Sequence, residues 1–80
     1  MLDTVIIHSD EYYYEIIRKN IRKYRLRNNL SQQQLADMCG ITRQYLCDIE
    51  NENRNKHVTI AILGRIADSL NINIQLFFEQ

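Results

Sequence analysis

Arg43, Gln44 and Tyr45 follow directly after Thr42, and all three are side chains able to read base edges. An Arg guanidinium bonds bidentately to guanine O6 and N7, and a Gln amide to adenine N6 and N7. Each such pair discriminates against a wrong base by about 1–3 kcal/mol. No paired carboxylate, nucleophile–base set, metal-ligand cluster or Gly-rich phosphate loop accompanies them, so the residues do not point to an enzyme. No cofactor and no small-molecule ligand is indicated. The two cysteines, Cys39 and Cys47, lack metal-ligand spacing and a histidine cluster. They are expected to be reduced thiols with core or surface roles.

Reading side chains need short, rigid elements to present them, and the flanking residues supply these. Ser31 is a preferred helix N-cap, and Gln34, three residues on, completes a capping box. Leu35, Ala36 and Met38 are expected to form the apolar face of a short helix. Gly40, one of two glycines, falls where that helix must stop, a place that favours a left-handed residue. Ile41 follows as a core contact, and Thr42 caps a second helix through Glu50. Leu46 and Ile49 share one side of it and are expected to face the core. Arg43, Gln44, Cys47 and the far side of Tyr45 then face outward. Two short helices joined by a tight turn, with base-reading residues opening the second, is the helix-turn-helix arrangement.

The remaining sequence predicts an all-α fold of five helices in a single domain, residues 1–80, with residues 1–12 as an extension of uncertain structure. A first helix, capped by Ser9 or Asp10, runs to about Arg27 with Tyr13, Ile16, Ile17, Ile21 and Tyr24 as its apolar stripe. Asn28 and Asn29 end it. Asn51 to Val58 reads as a polar loop. Thr59 caps a fourth helix bearing Ile60, Ile62, Leu63, Ile66, Ala67 and Leu70, and a short fifth helix carries Ile74, Leu76, Phe77 and Phe78. Val5-Ile6-Ile7 is β-branched and reads equally as a strand, an arm, or a continuation of the first helix. No apolar run is long enough to span a membrane and no signal peptide is visible, so a cytoplasmic location is expected.

The formal net charge is zero, but the charges are segregated. Asp3, Asp10, Glu11 and Glu15 precede every Lys and Arg, and all 10 Lys and Arg lie between residues 18 and 65. Phosphate binding depends on local charge at the contact surface, so the neutral total does not exclude a nucleic-acid partner. For Arg18, Lys19, Arg22 and Lys23, a solvated helix face is the simpler expectation.

From Ile17 to Phe78 the chain resembles the Cro/cI-type helix-turn-helix family of regulators, also called XRE-like. The resemblance is carried by Ile21-Arg22-Lys23-Tyr24-Arg25, Leu30-Ser31-Gln32-Gln33-Gln34-Leu35-Ala36, Gly40-Ile41-Thr42-Arg43, Ile49-Glu50 and Ile66-Ala67-Asp68-Ser69-Leu70. A narrower resemblance, through Arg43 to Glu50 and Arg54-Asn55, is to the controller proteins of restriction–modification systems. It implies a compact five-helix, lambda-repressor-like domain that binds double-stranded DNA. By position it implies DNA contacts from Gln32, Thr42, Arg43, Gln44, Tyr45, Cys47, Arg54 and Asn55. Gln32 would touch phosphate and brace the recognition helix, Arg43 and Gln44 would read bases, and Tyr45 would meet phosphate or a thymine methyl. Arg54 and Asn55 would lie near the backbone. Arg25 and Glu50 match a structural salt bridge, so Glu50→Ala is expected to harm folding more than specificity. Serine often stands at the position of Cys47, and the loop holding Lys56, His57 and Val58 is longer than the family pattern.

Ile74, Leu76, Phe77 and Phe78 are more apolar than a terminal helix needs, which predicts a homodimer through helices four and five. The function implied is a sequence-specific transcriptional regulator, such as a repressor, acting as a dimer on a nearly palindromic operator. The alternative is an antitoxin-like protein-interaction module with a secondary DNA-binding role, for which only residues 1–12 offer a partner-wrapping segment.

Overall fold

The computed structural model describes residues 5–51 and 58–80. Its elements run in the order α1 (Asp10–Arg27), α2 (Gln32–Cys39), α3 (Arg43–Glu50), α4 (Ile60–Ser69) and a 3-10 turn (Ile74–Phe78). The all-α architecture matches expectation, with the fifth element a tighter 3-10 turn, closed by Leu76 N–H donating to the Asn73 carbonyl at 3.0 Å.

Each start is fixed by a side-chain cap. Ser9, Ser31, Thr42, Thr59 and Asn73 each accept a backbone N–H, and the Ser31–Gln34 capping box is complete in both directions. The stops of α1, α2 and α4 share a device. Asn29, Gly40 and Asn71 are left-handed, with φ of 58°, 71° and 55°. The next residue in each case, Leu30, Ile41 or Ile72, donates its N–H five residues back, to Arg25, Ala36 or Ala67, at 3.0–3.2 Å. This is the Schellman exit, whose second residue is commonly apolar. Leu30, Ile41 and Ile72 accordingly pack against the core.

The core draws on every element. Ile17 and Ile21 come from α1, Leu35, Ala36 and Cys39 from α2, Leu46 and Ile49 from α3, and Leu63, Ile66 and Ala67 from α4. Leu70 and Phe77 close it from the C-terminal side. α1 packs on the 3-10 turn and on α3, while α2 packs on α3 and α4.

Several apolar assignments shift. Met38 is 52% exposed, because the inward arc of α2 runs through Leu35, Ala36 and Cys39 and leaves position 38 to one side. Tyr13 and Ile60, at the outer ends of their helices, are also exposed. Val5 to His8 have no regular structure, and Val5, Ile6 and Ile7 are exposed. Phe77 has 0% exposure, so its ring completes this chain's own core and cannot supply a surface for a second copy. Phe78, beside it, is 49% exposed, and Ile74 and Leu76 are half-buried.

Asn20 carries no local signal of burial, because a lone asparagine on a basic helix reads as surface. It is buried, and its Nδ2 donates to the carbonyls of Phe77 at 2.9 Å and Glu79 at 2.7 Å. The C-terminal segment is thereby fastened to α1, with the Tyr12 hydroxyl donating to Gln80 Oε1 at 3.1 Å nearby. Asn20→Ala strands two acceptors, and the expected loss is about 1–3 kcal/mol of unfolding free energy, read from the urea midpoint.

Candidate nucleic-acid interface

The surface that presents α3 is built outward from one buried ion pair. Arg25 Nε and Nη2 donate to Glu50 Oε2 and Oε1 at 2.8 and 2.9 Å. The two side chains are 8% and 2% exposed. Arg25 Nη1 donates to the Leu30 carbonyl at 2.8 Å, and the Gln32 amide donates to Glu50 Oε1 at 3.2 Å. One carboxylate at the end of α3 is thus tied to α1 directly, to the link after α1 through the shared guanidinium, and to the first turn of α2. Charge-assisted, bidentate bonds of this kind fix orientation as well as distance.

On that frame, Gly40-Ile41-Thr42 turns the chain from α2 into α3. The Thr42 hydroxyl accepts from Tyr45 N–H at 3.0 Å, so it serves the cap, while the residue itself stays exposed. Arg43 and Gln44 are exposed in the first turn, and Leu46 and Ile49 are buried behind them. Tyr45 is half-buried and packs partly against the core. Gln44 Nε2 donates to Asp48 Oδ1 at 2.9 Å, so the acid on this face steadies the amide one turn away. Cys47 is half-buried on the same outer side. The structure therefore brings Thr42, Arg43, Gln44, Tyr45 and Cys47 together on one helix, with Gln32 braced against its end. Arg54 and Asn55, with Lys56 and His57, lie outside the described residues.

The helix-turn-helix family model, HTH_3, matches residues 21–77, which includes all of α2, α3 and α4. The chain belongs to this helix-turn-helix family. Control protein C.SmaI of Serratia marcescens is 43% identical over 60 residues, covering 75% of this chain and 69% of that protein. The restriction-modification controller C.AhdI of Aeromonas hydrophila superposes with a TM-score of 0.75 at 25% identity, covering 81% of this chain and 96% of the other. The restriction-modification controller C.Esp1396I superposes with a TM-score of 0.73 at 27% identity, over 89% and 87% of the two chains. Membership places this helix-turn-helix protein among DNA-binding transcriptional regulators. Among the described residues, no helix is long and apolar enough to cross a membrane.

The two thiols sit in different surroundings. Cys39 is 5% exposed, and its Sγ donates to Ser69 Oγ at 3.4 Å. Burial pushes this thiol above its ordinary pKa, outweighing the Arg65 charge and the Ser69 hydroxyl, which would turn to donate to the thiolate; both of these act the other way. Because the thiolate is the reactive form, iodoacetamide at mildly alkaline pH is expected to label Cys47 in the folded protein and Cys39 only on unfolding. Peptide mass mapping against time reads this, and labelling of Cys39 first or at an equal rate would contradict the packing.

Proposed function

We propose that this protein is a controller-type transcriptional regulator that binds a nearly palindromic operator as a homodimer. The observation that carries the reading is the first turn of α3, where Arg43 and Gln44 stand exposed on a helix whose far end is clamped by the buried Arg25–Glu50 pair. Laid in the major groove, that turn offers Arg43 to guanine and Gln44 to adenine. Thr42, Tyr45 and Cys47 flank these two at the groove edge. Gln32, at the start of α2, meets the backbone phosphate, as helix N-termini favour. Arg54 and Asn55 follow α3 in sequence and are assigned to the adjoining backbone. No catalytic step enters this scheme.

One recognition helix reads only a few base pairs. A twofold dimer reads two half-sites about 34–36 Å apart and converts weak half-site binding into a discriminating contact. The dimer surface we assign to the exposed parts of the last two elements, Ile74, Leu76 and Phe78, with Ile60 on α4 as a further apolar side chain. The similarity to Control protein C.SmaI and to two restriction-modification controllers supports control of a restriction–modification system.

Selection of bound duplexes from a random library at near-physiological salt tests the reading. The wild type is expected to enrich an inverted repeat, and Arg43→Ala/Gln44→Ala to lose it while retaining weak, salt-sensitive binding. No enrichment by the wild type, or an unchanged repeat from the double variant, would overturn it.

A further inference from the structure

The four cations of α1 do not form one uniform solvated face. Arg18, Lys19 and Arg22 line an open cleft whose opposite wall is Gln32, Cys47 and Asn51. Lys23 lies outside it, with its ammonium 5.0 Å above the Tyr24 ring. Arg18 and Arg22 are one helical turn apart and so stand one above the other along the wall. Across the cleft, Cys47 follows Arg43 by one turn of α3, and Asn51 caps the same helix. The cleft is therefore continuous with the row that begins at the reading end of α3.

Among the described residues, Arg22 stands apart from the other charges of this cleft. Glu50 also lines the cleft, but both its oxygens are engaged by Arg25. Glu15 lies 3.5 Å from both Arg18 and Lys19, so one half-exposed carboxylate is shared by two cations. Pairs of that kind are weak and exchange readily for another anion. Among the described residues, Arg22 is exposed and has no acidic partner.

A cationic trough running beside a helix that occupies the major groove lies where the sugar–phosphate backbone bounding that groove must pass. We infer that this cleft holds a backbone phosphate of duplex DNA flanking the half-site, with Arg22 as its principal ligand, Lys19 beside it and Gln32 opposite. The inference rests on the proposed docking of α3 and adds to it a contact that positions the duplex without reading its sequence. It extends each half-site footprint beyond the contacts made by α2 and α3.

The test is the salt dependence of binding for the wild type, Arg22→Gln and Lys23→Gln, on the selected duplex and on an unrelated one. Folding of each variant is checked by circular dichroism. Loss of one phosphate contact per subunit reduces the slope of log affinity against log salt by about 0.9 for each subunit bound. Arg22→Gln is expected to show that reduction on both duplexes while selecting the same sequence. Lys23→Gln, the same charge change on the neighbouring residue, is expected to leave the slope as in the wild type. An unchanged slope for Arg22→Gln, or an equal reduction for Lys23→Gln, overturns the assignment. A wild type with no preferred sequence instead overturns the operator reading. The cleft is then judged on the unrelated duplex alone, where an unchanged slope for Arg22→Gln still overturns it.

Discussion

The Arg25 guanidinium and the Glu50 carboxylate meet almost out of water, and the placement of α3 depends on how that meeting is satisfied. Removing two charges from water costs several kcal/mol for each ion, and mutual attraction offsets this only when geometry is good and the remaining polar atoms are bonded. Both conditions hold. The pair is bidentate, the Leu30 carbonyl takes a further guanidinium N–H, and Gln32 donates to the carboxylate. Among the described residues, no buried side-chain polar atom lacks a partner. Because apolar residues often replace such pairs without loss of stability, its contribution is better sought in geometry than in net energy. It joins the end of α3 to α1 and to the start of α2, and so sets the angle at which the first turn of α3 leaves the surface.

Short helices need that kind of support. α2 and α3 have 8 residues each, below the length at which an isolated helix is stable in water. Caps supply the local part of their definition and packing the rest. Three helices stop through the same left-handed residue and five-residue backward bond, which places Leu30, Ile41 and Ile72 against the core. The turns are thus part of the packing. The αL turn at Gly40 leads within two residues to the Thr42 cap, and so to the exposed side chains that open α3.

Much of this was legible because it is local. Caps are read from residue type and spacing, and Ser9, Ser31, Gly40, Thr42 and Thr59 take the places their chemistry assigns. Leu46 and Ile49 are buried as their spacing requires, and the Arg25–Glu50 pair follows from the family pattern. What was hidden is what depends on tertiary direction. Periodicity identifies an apolar stripe but not its edges, so Met38 and Tyr13 read as part of it although both are exposed. Asn20 is buried because the C-terminal carbonyls arrive from more than fifty residues away, which no local signal encodes. Phe77 and Phe78 are adjacent and chemically alike, yet one closes the core and the other faces solvent. The division of the α1 cations between a cleft and an aromatic ring likewise becomes visible only once α3 is packed alongside.

The most direct test of the central role given to the ion pair is a double-mutant cycle on Arg25→Met and Glu50→Leu, followed by urea denaturation. Each single change leaves a buried charge unpaired and is expected to cost about 3–5 kcal/mol. The double change removes both charges, so its cost should fall well short of the sum, with coupling at the upper end of the roughly 0.5–3 kcal/mol range seen for contacting residues. Costs that add to within about 0.5 kcal/mol would mean that the two side chains do not depend on one another, and would contradict this account of how α3 is held.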